Sequence, residues 1–342
     1  MSVAERLDAF QRRHRWAGLP LAVLYKFADD QGFYLAALIT YYGFVSLFPL
    51  LLLLVSILGY ALQDNPELQQ LVLNSALSQF PIIGNQLGEN VQSLNGNAFA
   101  LAVGILGSLY GGLGVAQAGQ HAMNTVWAVP RAVRPDPFRS RGRSLLVLVI
   151  VGTGLLLTTA LSGLTTATTD FGDGPAVDLL IRIGAALLAI ALNSSLFILV
   201  FRVLTARKVP IRDIRLGAIL AAIAWQSLQV IGTYYVGREL ATATATYGLF
   251  GIVLGLLAWI YLEALVVVLC AEVNVVRARK LWPRSLLTPF TDNVQLTDAD
   301  RRAYTSYARS ERHKGFQRVE VDFDQNDGRT RTQPEEEQDR AH

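Results

Sequence analysis

The chain has 342 residues, of which 52% are hydrophobic and 17% charged, with a net charge of +3, a pI near 9.0 and a mean hydropathy of +0.34. A water-soluble domain averages about 25% charged residues, so this composition points to a membrane protein. The single cysteine, Cys270, excludes an intramolecular disulfide framework and a multi-cysteine zinc site, and His14, His121, His313 and His342 are too scattered for the usual zinc spacings.

The N-terminal arm, residues 1–32, carries Arg6, Arg12, Arg13, Arg15 and Lys26. Val3, Leu7 and Phe10 fall at helical spacing among the arginines. Two readings stand for this cytoplasmic amphipathic arm: an interfacial helix on the inner leaflet, or an ordinary charged lead-in. The first apolar run is too long and begins too late for a cleavable signal peptide.

Six long apolar stretches follow, at about 33–62, 98–118, 144–166, 179–204, 214–236 and 247–276. Residues 33–63 contain no Asp, Glu, Lys or Arg. A hydrocarbon core of about 30 Å needs about 20 apolar helical residues to cross it. The flanking charges alternate. Lys and Arg crowd the N-terminal arm, the connection after the second stretch (Arg131, Arg134, Arg139, Arg141, Arg143), the end of the fourth and start of the fifth (Arg202, Arg207, Lys208, Arg212, Arg215), and the exit of the sixth (Arg277, Arg279, Lys280, Arg284). The connections 64–97 and 167–178 carry none, and the remaining one only Arg238. Basic residues stay cytoplasmic, so both termini are expected inside. The overall positive charge comes largely from these flanks and is not read as nucleic-acid affinity. Trp16, Trp127 and Trp282 fall near the expected cytoplasmic interface, where indoles are favoured.

The expected fold is all-α: a polytopic bundle of six transmembrane helices over residues 33–280, with a short external helix. Leu68, Leu71, Val72 and Ser75 suggest that helix, broken near Pro81. Residues 281–342 mix both charge signs with few large apolar side chains, and a largely disordered cytoplasmic tail is expected.

Several polar residues interrupt the spans. Glu263 lies roughly 21 Å inside the last span at 1.5 Å per residue. Its charge there costs about 2.5–3.5 kcal/mol on insertion scales. It is either a proton- or cation-coupling carboxylate or a buried structural carboxyl, and Arg202 is one conceivable partner. Gln117, Gln120, His121 and Asn124 share one face of the second span within roughly 100° of arc. They line a polar vestibule or, the favoured reading, bond neighbouring helices near the interface. Glu272 and Asn274 close the last span, where Glu272 is expected to pair with Arg277 or Arg279. Pro49 removes one hydrogen bond from the first span and predicts a kink. Gly107-xxx-Gly111 and Gly251-xxx-Gly255 permit close helix contact.

These residues carry a resemblance. Ala36-Ala-Leu-Ile-Thr-Tyr-Tyr42 with Ser46-Leu-Phe-Pro49, Gly111-Gly-Leu-Gly with Ala122-Met-Asn124, Ala245-Thr-Tyr-Gly248 and Ala271-Glu-Val-Asn274 resemble, in order and spacing, the BrkB/YihY family of bacterial inner-membrane proteins. The resemblance covers about residues 33–279. It implies six spans with cytoplasmic termini in the bacterial plasma membrane. Thr40, Tyr41, Tyr42, Pro49, Asn124, Tyr247, Gly248, Glu272 and Asn274 match its motif positions, whereas Glu263 stands where the family usually has serine. Members are linked to serum resistance and to envelope or transport roles, and some are labelled ribonuclease BN.

A permease-like transporter for an ion, a small solute or a lipid-like molecule is the leading expectation, with a non-transporting scaffold or lipid-organising protein as the alternative. Ribonuclease activity is not expected, because the basic connections are short and offer no clustered metal ligands. No Walker motif and no cofactor site is present in the sequence. The partners expected are the lipid bilayer, an unidentified transported ligand and further copies of the chain as a homo-oligomer, but no nucleic acid.

Overall fold

A computed structural model describes residues 3–61, 98–168, 175–235, 241–288 and 294–323. The expected external helix within 65–97 and the extreme tail 324–342 lie outside the described residues. The described chain is helical: α1 (Val3–Arg13), α2 (Arg15–Asp29), α3 (Gly32–Ala61), α4 (Ala98–Val126), α5 (Pro137–Thr168), α6 (Pro175–Leu204), α7 (Ile211–Tyr235), α8 (Ala241–Arg279) and α9 (Asp298–Ser310). Four described stretches are long and apolar enough to cross a membrane: Pro137–Thr158, Ile183–Leu204, Ile211–Gly232 and Val253–Arg279. Gly32–Leu47 is a shorter apolar stretch of α3.

Each long helix packs on the next, and α8 returns to α3, so that α3 to α8 close a ring. Consecutive helices run antiparallel. Along α4, Gly107, Gly111 and Gly114 meet Pro49, Ser46 and Tyr42 in turn, descending α3. A Cβ at Gly111 would lie 2.4 Å from that of Ser46, and one at Gly114 would lie 2.2 Å from the Tyr42 ring. The glycines are therefore what allows the two backbones to approach. Helix α3 runs on through Pro49. Similarly, Gln120 meets Ser144 and Gly112 meets Leu148 across α4 and α5, while Arg143 meets Thr205 and Gly154 meets Leu196 across α5 and α6.

This alternation gathers the described turns at one end of the bundle. Residues 127–136, 205–210 and 280–288 lie there with the α2–α3 junction, and most of the basic side chains are there too. The buried cluster at this basic end includes Phe27, Met123, Trp127, Phe201, Ile214, Val275 and Leu281. Trp127 is buried, whereas Trp16 is exposed.

Residues 281–288 and 294–323 correct one expectation. The segment expected to be a largely disordered tail contains α9, whose N-terminus is closed by a capping box between Thr297 and Asp300. Ala299, Asp300 and Ala303 are buried. What composition missed is a polar core: this segment is ordered by ion pairs and hydrogen bonds rather than by large apolar side chains. The N-terminal arm joins it. Leu286 N donates to Asp8 Oδ1 at 3.0 Å, Gln11 Nε2 donates to the Arg284 carbonyl at 2.5 Å, and Tyr25 Oη donates to the Leu286 carbonyl at 2.7 Å.

Candidate functional site

Helix α8 carries two carboxylates nine residues apart, about 14 Å along the axis. Glu263 is half-buried, and its Oε1 accepts a hydrogen bond from Trp259 Nε1 at 2.8 Å, one helical turn away. Trp259 is itself buried. The structure does not bring Arg202 to Glu263; Arg202 is exposed in the last turn of α6.

Glu272 is fully buried, and its cation is not the expected Arg277 or Arg279. Lys26 of α2 reaches it from the N-terminal side, with Nζ 3.6 Å from Glu272 Oε2. Arg277 is exposed, and Arg279 Nη2 donates to the Trp127 carbonyl. The reason is geometric. Helix α2 packs along α8, so a lysine distant in sequence lies closer than arginines that point away from the seam. Lys26 also holds Asp30, one turn along its own helix, and donates to the Val126 carbonyl at 3.2 Å. Burial pushes the Asp30 carboxyl above its ordinary range, and Lys26 only partly opposes this.

A second set of charges adjoins the first. Arg284, buried to 1% exposure, places Nε 2.5 Å from Asp300 Oδ1 and Nη2 3.1 Å from Asp29 Oδ2. Burial alone would weaken the guanidinium's hold on its proton, but Asp29 and Asp300 reverse this and leave it above its ordinary value. Ser285 N donates to Asp300 Oδ2 at 3.0 Å, and Tyr307 Oη donates to Asp29 Oδ2 at 3.2 Å. The Tyr307 ring centroid is 5.2 Å from Lys26 Nζ, a cation–π distance that joins the two sets. Burial, then Asp30 and Asp29, raise the Tyr307 hydroxyl above its ordinary pKa.

The two motif asparagines fasten neighbouring backbone. Asn124 Oδ1 accepts from Ala206 N at 2.8 Å, tying the end of α4 to the turn after α6. Asn274 Oδ1 accepts from Gly217 N at 2.6 Å, tying α8 to α7. A Cβ at Gly217 would lie 2.1 Å from the Cys270 carbonyl oxygen, so only glycine permits this approach. The polar face of α4 divides. Gln120 is buried and bonds Ser140 and Ser144 of α5, whereas Gln117 and His121 are exposed. Gln120 and Asn124 thus bond neighbouring elements, while Gln117 and His121 face outward.

Of the remaining motif residues, Thr40 is buried and bonds back to the Ala36 carbonyl, and Tyr41 is exposed. Tyr42 and Pro49 face the α4 glycines. Tyr247 and Gly248 fall in α8, and their side chains lie outside the described set. Sequence reasoning missed Lys26, Asp30, Arg284 and Asp300. The Lys26–Asp30 pair carried a signal, a lysine four residues before an aspartate at the end of a helix with no charge between Arg15 and Lys26. The Thr297-xx-Asp300 capping spacing was a second one.

A family model described as "Virulence factor BrkB" matches residues 23–289. The chain belongs to the BrkB family. This BrkB-family match reaches from α2 past Arg284, and so includes Lys26, Glu272 and both motif asparagines. The chain is 26% identical over 269 residues to a UPF0761 membrane protein of Azotobacter vinelandii (strain DJ / ATCC BAA-1303), covering 77% of this chain and 64% of that relative. It thus spans somewhat under two thirds of that protein's length. It is 24% identical over 270 residues to the putative ribonuclease-like protein YfkH of Bacillus subtilis (strain 168), covering 72% of this chain and 91% of YfkH. No solved structure matches it.

Proposed function

We propose that this BrkB-family membrane protein is a permease-like transporter of an ion, a small solute or a lipid-like molecule. In this reading α3 to α8 cross the bilayer six times, and both termini are cytoplasmic. The observation that carries the transport reading is Glu263. It is an ionisable side chain inside the 27-residue apolar stretch of α8, and among the described residues it is bonded by Trp259 alone. Ionisable residues at such depth mark ion and substrate pathways more often than packing. The topology is supported by the basic residues on the described turns.

We read the chain as a non-enzyme. Metal-assisted RNA cleavage needs carboxylates or histidines open to water. Asp30, Asp300 and Glu272 are instead buried against Lys26 and Arg284.

The test is flux in proteoliposomes challenged with a panel of inorganic ions and small organic solutes, with scrambling of a fluorescent phospholipid as a parallel arm. Substrate-dependent flux that Glu263→Gln lowers at least about tenfold supports the reading. A folded protein silent across the whole panel and in the lipid arm contradicts it.

A further inference from the structure

A cleft of about 460 Å³ lies at the basic end, between α9 and the ends of α4, α6 and α8. Five arginines line it: Arg207, Arg279, Arg301, Arg302 and Arg309. No carboxylate does so among the described residues. Two like unit charges 4 Å apart at an effective dielectric of 20 repel by about 4 kcal/mol, so an anion seated among such arginines relieves repulsion. The volume falls in the range of small-molecule sites, about 300–1,000 Å³.

Two of the arginines are oriented by main-chain carbonyls. Arg279 Nη2 donates to the Trp127 carbonyl, and Arg302 Nη2 donates to the Lys280 carbonyl at 2.7 Å. A main-chain carbonyl fixes a guanidinium but leaves its full charge for another partner. Helix α9, which supplies three of the five, is fixed in turn. Asp300, immediately before Arg301, is buried, and both its carboxylate oxygens are engaged by Arg284, Ser285 and Thr297. The buried ion pair thus presents the adjoining arginines from a rigid support, which lowers the ordering cost of binding. Thr305 and Ser306 add hydroxyls to the same wall.

From this geometry we infer that the cleft binds a phosphate-bearing anion, held between the α9 arginines and Arg207 and Arg279. Guanidinium forks match phosphate oxygens two at a time, which a lysine patch does not do. The phosphate has two sources: the headgroup of an anionic phospholipid in the adjacent leaflet, or a soluble phosphate or phosphomonoester. Basic pockets between transmembrane helices on the cytoplasmic side bind lipid headgroups in just this manner. The site does not depend on whether the protein transports anything.

The test uses the full chain in detergent at constant ionic strength. Thermal stability is followed against inorganic phosphate in one arm and dioctanoyl phosphatidic acid in the other, with chloride as the control. The variant is Arg207→Gln with Arg309→Gln, both exposed and both outside the buried ion pairs. The expected result is a saturable rise in Tm in at least one arm, with apparent affinity lowered at least about tenfold in the variant. Response to phosphate alone assigns a soluble anion, and response to phosphatidic acid alone or far more tightly assigns a lipid headgroup. No saturable response in either arm, a response that chloride reproduces, or one that the variant retains unchanged overturns the inference.

Discussion

Lys26 Nζ lies 3.6 Å from Glu272 Oε2, with neither side chain exposed, so the N-terminal arm supplies the cation for the carboxylate near the end of α8. The pair ties α2 to α8 across a large separation in sequence. Removing one member of a buried ion pair costs about 3–5 kcal/mol, because the other is left charged and unpaired. Lys26→Met strands two carboxyl groups, Asp30 and Glu272, whereas Glu272→Gln leaves Lys26 its Asp30 partner. Lys26→Met is therefore expected to lower stability by about 3 kcal/mol or more, and Glu272→Gln by clearly less. Thermal unfolding of the two variants in detergent checks the order, and the reverse order would contradict the assignment.

The seam between α3 and α4 makes a steric prediction. Gly111→Ala drives a Cβ to 2.4 Å from Ser46 Cβ, a backbone-level clash. Overpacking of this kind costs about 1–3 kcal/mol. Gly142, in α5, has nothing within 4 Å of an added Cβ, so Gly142→Ala is expected to be neutral or stabilising by about 0.5–1 kcal/mol. Melting temperatures of the pair separate close approach from helix propensity.

The polar clamp at the basic end predicts a local effect. Asp300→Ala removes the acceptor for Arg284, Ser285 and Thr297 together. Amide exchange over residues 298–310 is expected to rise at least about tenfold, while α4 to α8 keep their protection. Exchange unchanged over α9 would show that it docks without this carboxylate.

Asp30 gives the sign of a pH effect. It faces Lys26, Glu272, Asp29, Arg279 and Tyr307, and burial raises it above the ordinary aspartate range. A raised carboxyl contributes its stability below the unfolded pKa and loses it as pH rises through the folded pKa. Relative to the wild type, Asp30→Asn is therefore expected to gain stability as pH rises from about 4 towards neutrality. Tm measured at intervals across that window checks this, and a difference that shrinks with pH would reverse the sign.

How much was legible follows from the range of each interaction. The long apolar helices are written in uninterrupted sequence, as is the glycine spacing of the α3–α4 seam. Asn124 and Asn274 were marked by motif, but their backbone partners, Ala206 and Gly217, come from the turn after α6 and from α7. Lys26 read as one more charge of a basic arm because its burial arises only when α2 packs on α8. The pairing of Arg284 with Asp29 spans 255 residues of sequence and leaves no local trace. Composition also hid the docking of residues 281–288 and of α9, since they are held by polar contacts that hydropathy counts against folding.

The most direct test of the transport account is water access at position 263. In a Cys270→Ala background, single cysteines at 263, at exposed 121 and at half-buried 226 are labelled from each side with a membrane-impermeant thiol reagent. The account predicts labelling at 263 whose preferred side changes with pH or ion gradient, showing an aqueous route to the carboxylate position. A folded protein labelled at 121 but closed at 263 from both sides under every condition would contradict it and leave α8 as part of a sealed bundle.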